Sequence, residues 1–295
     1  MKTCDPTSCD TCSSKGKGSK EEIIRCKLTR IRHKILVMSG KGGVGKSSVA
    51  TYLSLALAQK GYQVGLMDID LHGPSIPKMF GLHGVLNITQ EQEIIPHQYS
   101  PNLKVVSIES MMEDTDSAII WRGPLKHGVI QQFIADCKWD ALDFLVIDCP
   151  PGTGDEPLSI ARIIPEIKAV IVTTPQEVAL ADVRKSINFC RKMNVEMLGL
   201  VENMSGLYCP HCDGFIAIFG AGGGEKTSEK MKVPYLGPLP FDPAVVTGGD
   251  KGRPVLEEEN ESPFKTAVYA FAAKILGRLG ESGEQSEQAR EQTIH

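Results

Sequence analysis

Short apolar runs alternate with longer amphipathic stretches from about residue 34 to residue 280. Seven runs, at 35–38, 64–68, 103–108, 144–148, 169–173, 197–202 and 235–239, are almost continuously hydrophobic. That is the pattern of strands covered on both faces. Between them, residues 46–60, 124–137, 177–193 and 262–279 have helical spacing. In the first of these, Val49, Leu53 and Leu57 form an apolar stripe that Gly61 ends. Strands that alternate with helices need crossover connections. The expectation is an α/β fold with a doubly wound, mainly parallel sheet in three αβα layers, one domain over 34–280. Ligands of such a sheet bind beyond the carboxyl ends of its strands. Residues 1–33 show neither period and read as a cysteine-rich tail. The polar stretch 281–295 reads as a disordered tail.

Composition narrows the function classes. The chain is 41% hydrophobic and 23% charged, an ordinary globular balance. A net charge of −4 offers no basic face for nucleic acid. No apolar run approaches the ~18 residues of a membrane span. The start, "MKTCDPTSCDTC", lacks the apolar core of a secretory signal. The expectation is a cytoplasmic protein with neither a membrane nor a nucleic-acid partner. Nine cysteines in a reducing compartment then point to metal or redox roles, not to disulfides.

The chemistry gathers at predicted strand ends. Gly40, Lys41, Gly42, Gly43, Val44, Gly45, Lys46 and Ser47 fit G-x-x-x-x-G-K-[ST] between a strand and a helix. The glycines let backbone N–H groups wrap phosphates, Lys46 reaches the β/γ oxygens, and Ser47 holds Mg²⁺. Ser48 completes the set of nucleotide-binding candidates, and the helix start adds its positive end. Lys41 is a second lysine in the loop, either a solvated cation or a second functional one. Asp68 and Asp70 close the second strand and, two residues apart, point the same way. They suit a Mg²⁺ and an attacking water, or a solvated acidic turn. Asp148 ends the apolar strand of "FLVIDCPPGTGD" and reads as a Mg²⁺ carboxylate. The turn 150–155 after it is rigid and glycine-hinged, and Cys149 reads as a small buried hydrophobe. Asn203 is either an adenine-pairing amide or a turn cap.

Cys209 and Cys212 form C-x2-C, with Pro210 forcing the turn. Two thiolates are half of a metal or cluster site. A second copy across a twofold axis supplies the other half and suits a bridging [4Fe-4S] cluster. Alternatively, Cys9 and Cys12 complete a structural zinc site within one chain. The tail cysteines Cys4, Cys9, Cys12 and Cys26, spaced C-x4-C-x2-C-x13-C, have the number needed for a second cluster. Cys137 and Cys190 fall in helical patterns and read as packed thiols.

KGGVGK, DxDxxGPS, WRGP, DxPPGTGD, ENMS and C-x2-C, in this order, resemble the Mrp/ApbC-type iron–sulfur cluster carrier ATPases. These belong to the MinD/Mrp/ParA class of P-loop NTPases with a deviant Walker A motif. The resemblance covers about 34–280. It implies a slow ATPase that binds ATP/ADP and Mg²⁺ in a homodimer, with Lys41 reaching the partner's nucleotide. Asp70 then orients or activates water, Asp68 supports the metal shell, and Asn203 reads the base. It further implies a labile [4Fe-4S] cluster on Cys209 and Cys212 between subunits, passed on to apo iron–sulfur proteins. The tail resembles that of the longer cytosolic-assembly type, whose cysteines bind a stable [4Fe-4S] cluster, although in that type the long gap comes first. The competing reading is a MinD/ParA-like positioning ATPase with a structural zinc site. Its C-terminal helix, 264–279, lies on a membrane surface, whereas the carrier's caps the sheet.

Overall fold

A computed structural model describes residues 19–70, 73, 75–111, 123–209 and 211–281. Cys4, Cys9, Cys12, Trp121, Arg122, Pro210 and the stretch 282–295 lie outside the described residues.

The first described segment departs from the expected tail. Lys20–Thr29 is a helix, α1, and Ile31–Ser39 is strand β1. Ser19 starts α1 with a reciprocal cap: its hydroxyl accepts from the Glu22 N–H, and Glu22 accepts from the Ser19 N–H. Ile24 and Leu28 are buried on one face of this otherwise charged decapeptide, and Cys26, two residues from each, is buried as well. Cys26 is thus part of a helix packed on the domain, not of an extended tail. So short a stripe among Lys, Arg and Glu leaves almost no periodic signal.

From β1 the chain alternates as expected. Helix α2 is Lys46–Gln59, β2 Val64–Asp68 and α3 Ile76–Met79. Short strands β3 (Asn87–Ile88), β4 (Ile94–Ile95) and β5 (His97–Ser100) lead to β6 (Leu103–Ser107). Then come α4 (Gly123–Ala135), β7 (Leu142–Asp148), α5 (Asp155–Ile163), β8 (Lys168–Thr173) and α6 (Glu177–Lys192). The last part holds β9 (Glu196–Tyr208), β10 (Phe215–Ile216), α7 (Gly223–Met231), β11 (Tyr235–Phe241), α8 (Pro243–Asp250) and α9 (Pro263–Leu279).

The main sheet runs β10-β9-β8-β1-β7-β2-β6-β5, with β11 also paired to β9. Only β5 on β6 and β10 on β9 are antiparallel in it. Alternation along β1 explains the continuous hydrophobic runs. Ile35 and Val37 enter a core with α2 and α9, while Leu36 and Met38 enter the opposite core with α1, α4, α5 and α6. Helix α9 buries Phe264, Val268, Phe271, Ala272 and Ile275 against that first core, so it caps the sheet. No helix among the described residues is long and apolar enough to cross a membrane.

Strand β9 is longer than its apolar run. It passes the expected end at residue 202 and continues to Tyr208, because β11 pairs with it as far as Leu207 and β10 pairs with Leu207 and Tyr208. Left-handed backbone at Met204 and Gly206, φ 56° and 75°, turns this extension.

Candidate functional site

The register of three strands assembles one site. Val37 of β1 and Asp68 of β2 both pair with Asp148 of β7, so the three strand ends meet beneath the loop 40–45. Lys46 opens α2 there, with its Nζ 2.7 Å from Asp148 Oδ1 and 3.4 Å from Asp70 Oδ2. Ser47 Oγ donates to Asp148 Oδ2 at 2.5 Å. Asp68, fully buried, accepts from Ser107 Oγ and from the Asp70 N–H, each at 3.0 Å. Above them lies a cleft of about 230 Å³ whose walls include Lys41, Gly43, Lys46, Ser47, Asp70 and Pro151. The turn after Asp148 is tied to the loop through Gly152, whose N–H donates to Ser39 O at 2.8 Å.

Burial opposes the Lys46 charge, yet Asp148, Asp70 and Asp68 outweigh it and raise the Lys46 pKa. Burial and the Asp148 charge push Asp68 up to about 8. Asp148 is also raised by burial, with Lys46 and Ser47 pulling it back. Carboxylates packed this way ionise together only beside a cation. Ser47, Asp148 and Asp70 offer hard oxygen donors that fit Mg²⁺. Among the described residues no three His, Cys, Asp or Glu side chains converge as a metal cage. Magnesium held here therefore relies on phosphate and water for its other ligands, its usual habit.

Asn203, beyond the central part of β9, touches the loop itself. Its Nδ2 donates to Val44 O at 3.0 Å. Gly45 makes room for this contact: a Cβ there would stand 2.2 Å from Asn203 Nδ2, and its φ of 78° is left-handed. The Asn203 side chain thus braces the phosphate loop.

Cys209 and Cys212 sit at the turn of the β9–β10 hairpin. The Cys209 N–H donates to Gly214 O, and the Asp213 N–H to Cys209 O, both at 2.9 Å. Cys212 is exposed and Cys209 half-buried. Backbone N–H groups of His211 and Cys212 hold the Cys209 thiol below its ordinary range. Tyr208, Phe215, Ile216, Ile218 and Phe219 surround the turn and are between 38% and 50% exposed. Burial instead pushes the thiols of Cys137, Cys149 and Cys190 up, that of Cys190 to about 12. These three are packed core atoms.

The NUBPL iron-transfer P-loop NTPase family matches residues 30–276. The chain belongs to that family. It is 44% identical over 263 residues to a cytosolic Fe-S cluster assembly factor NUBP2 homolog of Monosiga brevicollis, covering 88% of this chain and 93% of the relative. It is 42% identical over 289 residues to an iron-sulfur cluster carrier protein of Methanocaldococcus jannaschii, covering 94% and 99%. Among solved structures, a nucleotide-binding protein from Archaeoglobus fulgidus in complex with ADP superposes with a TM-score of 0.70 at 38% identity, covering 81% of this chain and 94% of that one.

In this P-loop NTPase a second cavity, of about 70 Å³, opens beyond Ser48. Asn203, Met204, Pro240, Phe241 and Val245 are among its walls, which are mostly apolar. Sequence reasoning reached Asn203 but not Pro240 or Phe241. The available signal was "PFDP", two prolines around a helix cap at the end of β11. Asp242 is that cap, accepting from the Ala244 N–H at 2.9 Å.

Proposed function

We propose that the chain is an ATP-dependent carrier that holds a [4Fe-4S] cluster between two copies of itself and passes it to apo iron–sulfur proteins. One observation carries this reading. The strand whose Asn203 braces the phosphate loop ends at Tyr208, and Cys209, the first of the thiol pair with Cys212, follows at once, six residues after Asn203. Six extended residues span about 20 Å at most, so nucleotide and cargo lie within reach of one element.

ATP binds with its phosphates in the loop 40–48 and its base in the apolar cavity beside Asn203. Lys46 neutralises the β/γ oxygens, which requires it to exchange Asp148 for phosphate. Mg²⁺, held by Ser47 and Asp148 with support from Asp68, supplies charge neutralisation on the phosphates. Asp70 orients the attacking water, and Lys41 reaches the nucleotide of the second copy. Hydrolysis is slow and serves to change dimer geometry, and with it the hold on the cluster.

The homodimer follows from the half-site. Two thiols on one chain leave a tetrahedral or cluster site incomplete, and a twofold axis completes it. The exposed apolar side chains around the hairpin suit burial against a copy of themselves. Cys4, Cys9, Cys12 and Cys26 hold a second, stable cluster, which α1 anchors to the domain. The place of work is the cytoplasm. Names of the relatives, cluster carrier and cluster assembly factor, support the same reading.

The test is iron and sulfide content after anaerobic purification. Cys209→Ala with Cys212→Ala is expected to lose the bridging cluster and keep ATP binding. Undiminished iron and sulfide in that double variant refutes the bridging site.

A further inference from the structure

The cysteine hairpin belongs to a longer excursion, residues 206–221, which takes in the last residues of β9 and all of β10 and ends just before α7. Both feet of this excursion are tied to one side chain. Glu202 is fully buried between β8 and β11, where it pairs with Thr173 and Pro238. On the outgoing foot, Ser205 Oγ donates to Glu202 Oε1 at 2.5 Å. On the returning foot, the Gly222 N–H donates to the same Oε1 at 2.9 Å, and the Gly224 N–H donates to Oε2. Gly224 is glycine because a Cβ there would stand 2.9 Å from the Glu202 Cβ.

Glu202 thereby caps α7 from outside the helix. The glycine-rich run 220–224 resembles an anion cradle, but the internal Glu202 carboxylate already takes the N–H groups of Gly222 and Gly224. A buried carboxylate stripped of these donors pays its full desolvation cost, so the three hydrogen bonds hold both feet to it. The residue beside Glu202 is Asn203, which holds the phosphate loop through Val44 O. One unbroken chain of contacts runs from the loop through Asn203 and Glu202 to both feet of the cysteine excursion.

We infer that Glu202 is a positioning residue that transmits nucleotide occupancy of the phosphate loop to the orientation of the Cys209–Cys212 pair. This deepens the carrier reading and rests on it for its purpose, though not for its test. The coupling is a property of the polypeptide, readable before any cluster is loaded.

The experiment uses the full chain, metal-free and reduced, with and without ATP and Mg²⁺. Alkylation of Cys209 and Cys212 by a maleimide is followed by mass spectrometry of their peptide, and nucleotide affinity is titrated in parallel. In the wild type, ATP is expected to change the alkylation rate about tenfold, a coupling of ordinary size. Glu202→Gln and Ser205→Ala are expected to bind ATP within about threefold of wild type while the rate change shrinks below about twofold. Ser205→Ala cuts only the outgoing foot and decides the question if Glu202→Gln does not fold. A full tenfold response in Ser205→Ala, no response in the wild type, or loss of ATP binding together with the response overturns the inference. A wild type that shows the response but never loads a cluster refutes the carrier reading and leaves the coupling standing.

Discussion

Lys46 neutralises a buried carboxylate cluster and, on the proposed function, also serves ATP. Asp148 beneath it is fully buried, and its other hydrogen-bond partner, Ser47, carries no charge. Removing the cation leaves that carboxylate uncompensated, and breaking a buried pair in this way costs about 3–5 kcal/mol. Lys46→Ala is therefore expected to lower the unfolding free energy in urea and to abolish ATP binding. Retained ATP affinity in a folded Lys46→Ala protein contradicts the role given to the loop. A second expectation concerns Cys209, whose thiol is lowered by backbone N–H donors. These donors favour the thiolate, so the thiolate persists to a lower pH than in an ordinary cysteine. The pH profile of Cys209 alkylation in metal-free protein should have its midpoint below the ordinary thiol value. A midpoint at or above that value removes the donors from the account. At this scale the sequence was most readable where chemistry needs a fixed motif: Lys46 and Ser47, read from the loop pattern, contact Asp148, read from the end of an apolar strand. Glu202 was not readable, because its partners Gly222 and Gly224 are backbone donors twenty residues away.

Elements built from a long two-faced apolar run were plain in the sequence, and those held by caps or by pairing were not. Strand β2 has the expected limits, 64–68, because all five of its residues are buried. Helix α1 escaped notice because its stability rests on the Ser19–Glu22 cap and three buried side chains. Ser19→Ala should therefore cost about 1 kcal/mol, the usual value of such a cap. Hydrogen exchange at the α1 amides is the sensitive measure, and unchanged protection there speaks against the cap. The far half of β9 was hidden for another reason. Its residues 203–206, Asn-Met-Ser-Gly, have turn composition and left-handed backbone at Met204 and Gly206, and pairing of Asn203 and Leu207 with β11, and of Leu207 and Tyr208 with β10, carries the strand past them.

As a whole, the molecule places its phosphate-loop cleft at the carboxyl end of a mainly parallel sheet and half-buried Cys209 and exposed Cys212 at the turn of the β9–β10 hairpin. The α/β alternation foretold the first arrangement. The second depends on where a hairpin projects, which periodicity does not encode. The proposed homodimer makes a prediction at this scale. Lys41 lines the cleft next to Lys46; the Asp182 carboxyl on α6 is lowered chiefly by the hydrogen bond and charge of Lys185, and the charge of Lys41 adds to this. Lys41→Ala is expected to leave ATP affinity within about fivefold, the loss of one part-exposed charge being worth at most ~1 kcal/mol. Light scattering should then find that ATP no longer drives two copies together. A dimer that forms equally well without Lys41 assigns that lysine to solvent.

Both feet of the excursion 206–221 meet at one carboxylate oxygen, so the polypeptide leaves and re-enters the domain through a single gate. A short glycine splice from Ser205 to Gly222 would close that gate, removing β10 and the last residues of β9 while keeping strands β1, β2, β7 and β8 and the phosphate loop. The thiol-bearing turn between β9 and β10 is thus a peripheral cassette, joined to the engine beneath through Glu202 and the pairing of Leu207 with Phe241.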